Sequence, residues 1–365
     1  MLTLLEKVVI KKWSDIMSYF RKNILKMSGY TPGEQPVRPG GWIKLNTNEN
    51  PYPPSPGVKE VLADLKVDEL RFYPDPTASA LLEFIAELFG LKKENVIAGN
   101  GSDDILTIAI RAFVGEGDTL VCPDPTYSLY PELSDIQGAV CRKIPLNPDF
   151  SLPDDFAESA SGAKLILIPR PNAPVGTVFP LETMYNICND FNGVVLIDEA
   201  YGDFAEDNCV SFVNEFDNVI VSRTLSKSYS LANIRFGFAL ASENLISGMM
   251  KVKDSYNVNG ITQKIALAAL KDRTYFTETV QKIKSTRDKI IKELIKLNFT
   301  VCDSGANFLF AAPPEKNAAE IYAALKEKGI LVRYFPGERT GDYLRITVGT
   351  DEEMNKLLEE LKKLI

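Results

Sequence analysis

The chain has 365 residues, which at ~150 residues per domain fits about two domains. Its 41 Lys and Arg against 49 Asp and Glu leave a net charge of −8, whereas general binders of nucleic acid or anionic membranes present a basic face. Histidine is absent altogether, which excludes Ser-His-Asp and Cys-His nucleophiles, HExxH zinc chemistry and a histidine general base.

Residues 1–45 read as an irregular N-terminal arm with some helix near its start. The opening MLTLLEKVVIKKWSDI is broken by charges and lacks the apolar core of a signal peptide. No apolar run reaches the ~18 residues that cross a bilayer. GYTPGEQPVRPGG (29–41) is too rich in Pro and Gly for a regular element. From 46 to about 255 the pattern alternates, as a large domain. TASALLEFIAELFG (77–90) is an amphipathic helix ended by Gly90. Apolar runs follow at NVIAG (95–99), TLVC (119–122), KLILI (164–168), GVVLID (193–198), NVIVS (218–222) and RFGFALA (235–241). Such strands separated by helices predict an α/β fold with a mostly parallel sheet covered on both faces. Residues 256–365 read as a smaller α+β domain. Its predicted elements are a helix at 275–298, strands at 299–303 and 307–311, a helix at 317–328, strands at 330–333 and 343–348, and a last helix at 351–364. The five cysteines (122, 141, 188, 209 and 302) form no CxxC. They read as free thiols of a cytoplasmic protein, with no metal site.

Three segments carry candidate chemistry. GNGSDD (99–104) follows a strand and opens a helix, so its amides can hold a phosphate; a plain strand-to-helix turn is the other reading. GVVLIDEAY (193–201) ends a buried strand on Asp198, where a parallel sheet places ligands, although the acid would serve equally as a helix cap. SRTLSKSYSLANIRFG (222–237) sets Ser226, Lys227 and Arg235 just beyond another strand. Together, a phosphate-binding helix start, an acid at a strand end and a lysine flanked by Ser and Arg are the parts of a pyridoxal-phosphate site.

These segments, with NENPYPP (48–54), RFYPDP (71–76), PDPTYSLY (123–130), RPNAPVG (170–176) and LRITVGT (344–350), occur in the order seen in fold-type-I pyridoxal-phosphate aminotransferases. The chain most resembles the histidinol-phosphate aminotransferases, from about Met17 to its end. The resemblance implies a large cofactor domain, a smaller C-terminal domain and a homodimer with shared active sites. It also implies transamination between L-histidinol phosphate and 2-oxoglutarate. An aromatic amino-acid donor, a threonine-phosphate decarboxylase-like activity or a catalytically silent binding protein on the same scaffold are the alternatives.

Carried over residue by residue, the resemblance makes Lys227 the covalent holder of the cofactor and the group that moves the Cα proton. It makes Asp198 the partner of the pyridinium nitrogen and Tyr201 a donor to the phenolic oxygen. Tyr127 would stack on the ring. Gly101, Ser102, Asp103, Ser226, Arg235 and a neighbouring subunit's Tyr73 would hold the phosphate, and Arg333 and Arg345 the substrate's anionic group. Asn172 would be a further cofactor contact, with one departure: it is followed by Ala173 where the family usually carries a second Asn that bonds the phenolic oxygen.

Overall fold

A computed structural model describes residues 19–36 and 41–365; the helix expected near the chain start lies outside the described residues. A short helix, Lys22–Lys26, is followed by β1 (Ile43–Lys44). The central sheet comprises β2 (Val96–Gly99), β3 (Thr119–Asp124), β4 (Val140–Pro145), β5 (Leu165–Pro169), β6 (Val194–Asp198), β7 (Val219–Thr224) and β8 (Gly237–Ala241). The order is β2-β8-β7-β6-β5-β3-β4, and only β8 runs against its neighbours.

Period-two alternation explains why these runs are apolar throughout. Leu120, Leu165, Leu167, Leu196 and Ile220 pack into one layer, while Val121, Ile166, Ile168, Val195, Ile197 and Val221 pack into the other. Each such side chain contributes roughly 1.5–3 kcal/mol when buried, so the strand ends rest on a well-packed apolar core. The predicted helix at 77–90 forms as Ser79–Phe89, buries Leu81, Leu82, Ile85 and Ala86, and stops at Gly90 with φ 67°.

The structure departs from the sequence reading at β1, which lies in the segment read as an irregular arm, and at three further places. β4 escaped it because it is an edge strand whose Arg142 and Lys143 face solvent. The run at 235–241 becomes strand only at Gly237, because Arg235 sits in a left-handed turn with φ 53°.

The last of these departures lies in the C-terminal region. There the helix Arg273–Lys296 leads into β9 (Thr300–Val301) and β10 (Phe308–Ala312). The predicted strand at 330–333 splits into β11 (Ile330–Leu331) and β12 (Arg333–Tyr334), followed by β13 (Leu344–Thr347) and the helix Asp351–Leu364. The chain changes partners at Val332: β11 pairs in parallel with β1, whereas β12 joins an antiparallel sheet ordered β12-β13-β10-β9. Leu45 accordingly packs among the C-terminal apolar residues, and its N–H donates to the Leu331 carbonyl at 2.7 Å. Residues 43–48 therefore lead from the arm into the C-terminal sheet and on to the rim of the central one.

Candidate active site

The carboxyl ends of β3, β5, β6 and β7 share one rim of the sheet, and the strand order reverses between β5 and β3. Ligands of open α/β sheets bind at such a crevice. A cavity of about 460 Å³ opens there, walled by the loops after those strands and by the C-terminal sheet. Ser102, Asp103, Tyr127, Asp198, Tyr201, Ser226, Lys227, Arg235, Arg333 and Arg345 all line it. Residues from segments far apart in the chain thus meet in one place.

Asp198 ends β6 in register with Pro169 of β5 and Ser222 of β7, and only 4% of it is exposed. Tyr130 Oη donates to its Oδ2 at 2.9 Å, Ser222 Oγ to its Oδ1 at 3.1 Å, and the Ala200 N–H to Oδ1 at 3.2 Å. Burial nevertheless wins, and the carboxyl is pushed up to about 6. An anion desolvated this far is poised for a cation at the rim. Behind it Arg223, next in chain to Ser222, is itself buried and pairs with Glu199 at 2.5 Å and Asp203 at 2.7 Å.

Lys227 reaches into the cavity, where its Nζ donates to the Thr47 carbonyl at 3.1 Å and lies 5.7 Å from the centre of the Tyr201 ring. Asn50 fixes the lysine's backbone by donating to the carbonyls of Lys227 and Ser228, each at 3.1 Å.

At the floor, the helix Ser102–Phe113 starts at Gly101 with no side-chain cap, which leaves its first amides free. The left-handed Arg235 turns its guanidinium onto this start, 3.0 Å from Asp103 Oδ2 and 3.4 Å from Ser226 Oγ. Only glycine fits between them: Gly101 has φ 88°, and a Cβ there would lie 2.5 Å from Arg235 Nη2. A Cβ on Gly237 would lie 2.4 Å from the Ser102 nitrogen. Tyr127 leans edge-on against Tyr130, with its Oη 3.3 Å from Asp103 Oδ1.

At the opposite end, Arg333 and Arg345 are direct register partners on β12 and β13. Both guanidinium groups stack on Phe335, at 5.2 and 5.1 Å from its ring centre. Arg345 Nη2 donates to the Asn46 carbonyl at 2.9 Å, and its buried Nε has no partner among the described residues. Burial, together with the like charge of Arg333, pulls Arg345 below its usual range. Like charges directly opposite each other destabilise a sheet unless an anion joins them.

Two predicted residues stand elsewhere. Asn172 lies behind the wall, donating from Nδ2 to the Pro125 carbonyl at 3.1 Å with its Oδ1 buried and unpartnered; Ala173 and Pro174 face the cavity. Tyr73 is 83% exposed, away from this chain's own cavity, and stacks on Tyr256 at 4.7 Å.

Sequence reasoning also missed Tyr30, Asn48 and Tyr130. Tyr30 lines the cavity edge-on to Tyr127 at 6.4 Å, and Asn48 donates to Tyr201 Oη at 2.8 Å. Asn48 and Tyr130 lie inside segments already singled out, NENPYPP and PDPTYSLY, but nothing local marks which polar residue turns inward.

Residues 40–361 match the model of the aminotransferase class I and II family. The chain is 45% identical to a histidinol-phosphate aminotransferase of Microcystis aeruginosa, covering 94% of this chain and 98% of that protein. It is 46% identical to one of Synechocystis sp., covering 95% and 99%. Among solved structures, histidinol-phosphate aminotransferase from Sinorhizobium meliloti in complex with pyridoxal-5'-phosphate shares the fold. The TM-score is 0.86 at 22% identity, over 96% of this chain and all of that one. By sequence, by fold and by the residues gathered at its rim, the chain belongs to the aminotransferase class I and II family.

Proposed function

We propose that this protein transfers the amino group of L-histidinol phosphate to 2-oxoglutarate, using pyridoxal phosphate, as a homodimer with shared active sites. The observation that carries the substrate is the facing pair Arg333 and Arg345, neither of which has a carboxylate partner among the described residues. A carboxylate is satisfied by one guanidinium, whereas a phosphate monoester, with about −1.5 to −2 charge at pH 7, suits two. The relatives named above point the same way.

The residues present fit the cofactor. The Gly101–Arg235 cradle, which a Cβ would fill, suits its phosphate, and the desolvated Asp198 suits a protonated ring nitrogen. Lys227 Nζ has no carboxylate partner among the described residues and hydrogen-bonds to a carbonyl, which leaves it free to bond the cofactor. Pyridoxal phosphate, when bound, supplies an electron-withdrawing ring that makes a proton on the substrate's α-carbon labile.

The chain's own side chains do the rest. Lys227 Nζ would take that proton from the α-carbon and deliver it to the cofactor's C4′ carbon, and the Tyr201 hydroxyl would donate toward the phenolic oxygen. Tyr127 would pack on the ring, and Arg345 would serve both the phosphate donor and the carboxylate of the second substrate. Tyr73, exposed beside an exposed Phe72, would reach a second subunit's phosphate. Such a biosynthetic step belongs in the cytoplasm, in keeping with five unpaired thiols.

A single-turnover screen tests the reading: amino donors are mixed with the cofactor-loaded protein and the loss of its visible band is followed. Histidinol phosphate should react faster than any free amino acid at equal concentration. An aromatic amino acid in first place would overturn the assignment.

A further inference from the structure

Ala173 removes an amide that the family usually aims at the cofactor's phenolic oxygen, and Tyr201 is left facing that position. Ala173 packs with Phe308 against the Tyr201 ring and offers it no polar group. What aims the Tyr201 hydroxyl is Asn48. This residue is 1% exposed and sits in the left-handed region with φ 56°. Each of its polar groups has a partner. Its N–H donates to Thr347 Oγ1 at 3.0 Å, Thr347 Oγ1 returns its proton to Asn48 Oδ1 at 3.1 Å, and the Asn48 carbonyl accepts from Asn307 Nδ2 at 3.1 Å.

Asn48 is oriented with Oδ1 toward Thr347. Thr347 Oγ1 donates to that Oδ1, which leaves Nδ2 facing Tyr201 Oη at 2.8 Å. A phenol carries one proton and two acceptor positions. With one acceptor position taken by Asn48, the Tyr201 proton is free to point into the cavity. The reverse amide orientation would have drawn that proton away from it.

We infer that Asn48 is a positioning residue: it presents the Tyr201 hydroxyl proton to the cofactor's phenolic oxygen, and it ties that proton to the C-terminal sheet through Thr347. The inference rests on the cofactor reading above. A donor at the phenolic oxygen favours the deprotonated form of the bound cofactor and so lowers the pH midpoint of its visible band.

The test is a spectroscopic pH titration of cofactor-loaded wild type, Asn48→Gly, Tyr201→Phe and the double variant. Glycine tolerates the left-handed backbone, so Asn48→Gly removes the side chain without backbone strain. Asn48→Gly should raise the midpoint by about 0.5 to 1 pH unit, the worth of one hydrogen bond. In the Tyr201→Phe background it should add no further shift. An unchanged midpoint in Asn48→Gly, or an equal shift with and without the Tyr201 hydroxyl, overturns the inference; a purely structural role predicts the latter. Should Asn48→Gly fail to fold, Thr347→Val leaves the Asn48 side chain in place and removes its partner. That variant should raise the midpoint only when Tyr201 is present, and no shift there likewise overturns the inference. A wild-type chain that forms no visible band with pyridoxal phosphate defeats the cofactor reading and this inference with it. A wild-type band whose midpoint ignores Asn48 defeats this inference alone.

Discussion

Replacing Asp198 by Asn should make the cofactor-free protein more stable while nearly abolishing its chemistry. Burial lifts the Asp198 carboxyl from 3.8 to about 6 in the folded chain. A displacement of two units corresponds to about 3 kcal/mol. The sign follows from proton binding: between pH 4 and 6 the folded chain holds a proton that the unfolded chain has released. Wild-type stability therefore falls as pH rises through that window and stays level above it. Asn carries no charge and escapes this loss. It meets Tyr130, Ser222 and the Ala200 N–H with one acceptor instead of two, at a cost of about 1 kcal/mol. The variant should thus gain about 2 kcal/mol above pH 6.5 and lose somewhat less than about 1 kcal/mol at pH 4, in urea melts of cofactor-free protein across that range. The same substitution removes the counter-charge to the ring nitrogen and should slow transamination by several orders of magnitude. A stability difference that is constant with pH, or of opposite sign at neutral pH, would refute the assignment of a destabilising buried charge to Asp198.

Other substitutions test the remaining parts. Lys227→Ala should lose the visible band and nearly all turnover, and mixing it with an inactive Tyr73→Ala variant should restore part of the activity through hybrid dimers; a fully active monomer would contradict the shared site. Arg333→Ala should weaken histidinol phosphate more than glutamate, and Arg345→Ala both alike, in half-reactions followed against substrate concentration. Equal losses for the two donors in Arg333→Ala would remove the case for a phosphate clamp. Asp75, held down to about 2 chiefly by the Thr77 N–H, accepts also from the Ser79 N–H at 2.7 Å and so caps the helix that Ser79 begins. Because its carboxyl is depressed, its stabilisation is complete above about pH 4 and is lost as pH falls through 2. Asp75→Ala should cost about 1 kcal/mol at pH 7 in urea melts, and progressively less as the pH approaches 2.

The sequence by itself determined the layers and the rim. Alternating Leu, Ile and Val buried on both faces can only be inner strands, and the segments that follow them had to reach the carboxyl edge, so Asp198, Lys227 and Ser102 were legible as site residues. Those are local signals: strand periodicity, glycine at a tight turn, a helix opening. What the sequence left open depended on partners far along the chain. Asn48 meets Tyr201 across 153 positions and Tyr130 meets Asp198 across 68; each is an ordinary polar residue until the fold supplies the other. Arg235 reads as the start of a strand, yet in the fold it sits in a left-handed turn with its guanidinium on the helix start. Arg333 and Arg345 could be read as neighbours in a small domain, but only the antiparallel register sets them face to face. Periodicity follows from the geometry of one strand, whereas the pairing of polar groups is decided by which strands lie side by side, and that is a property of the tertiary structure alone.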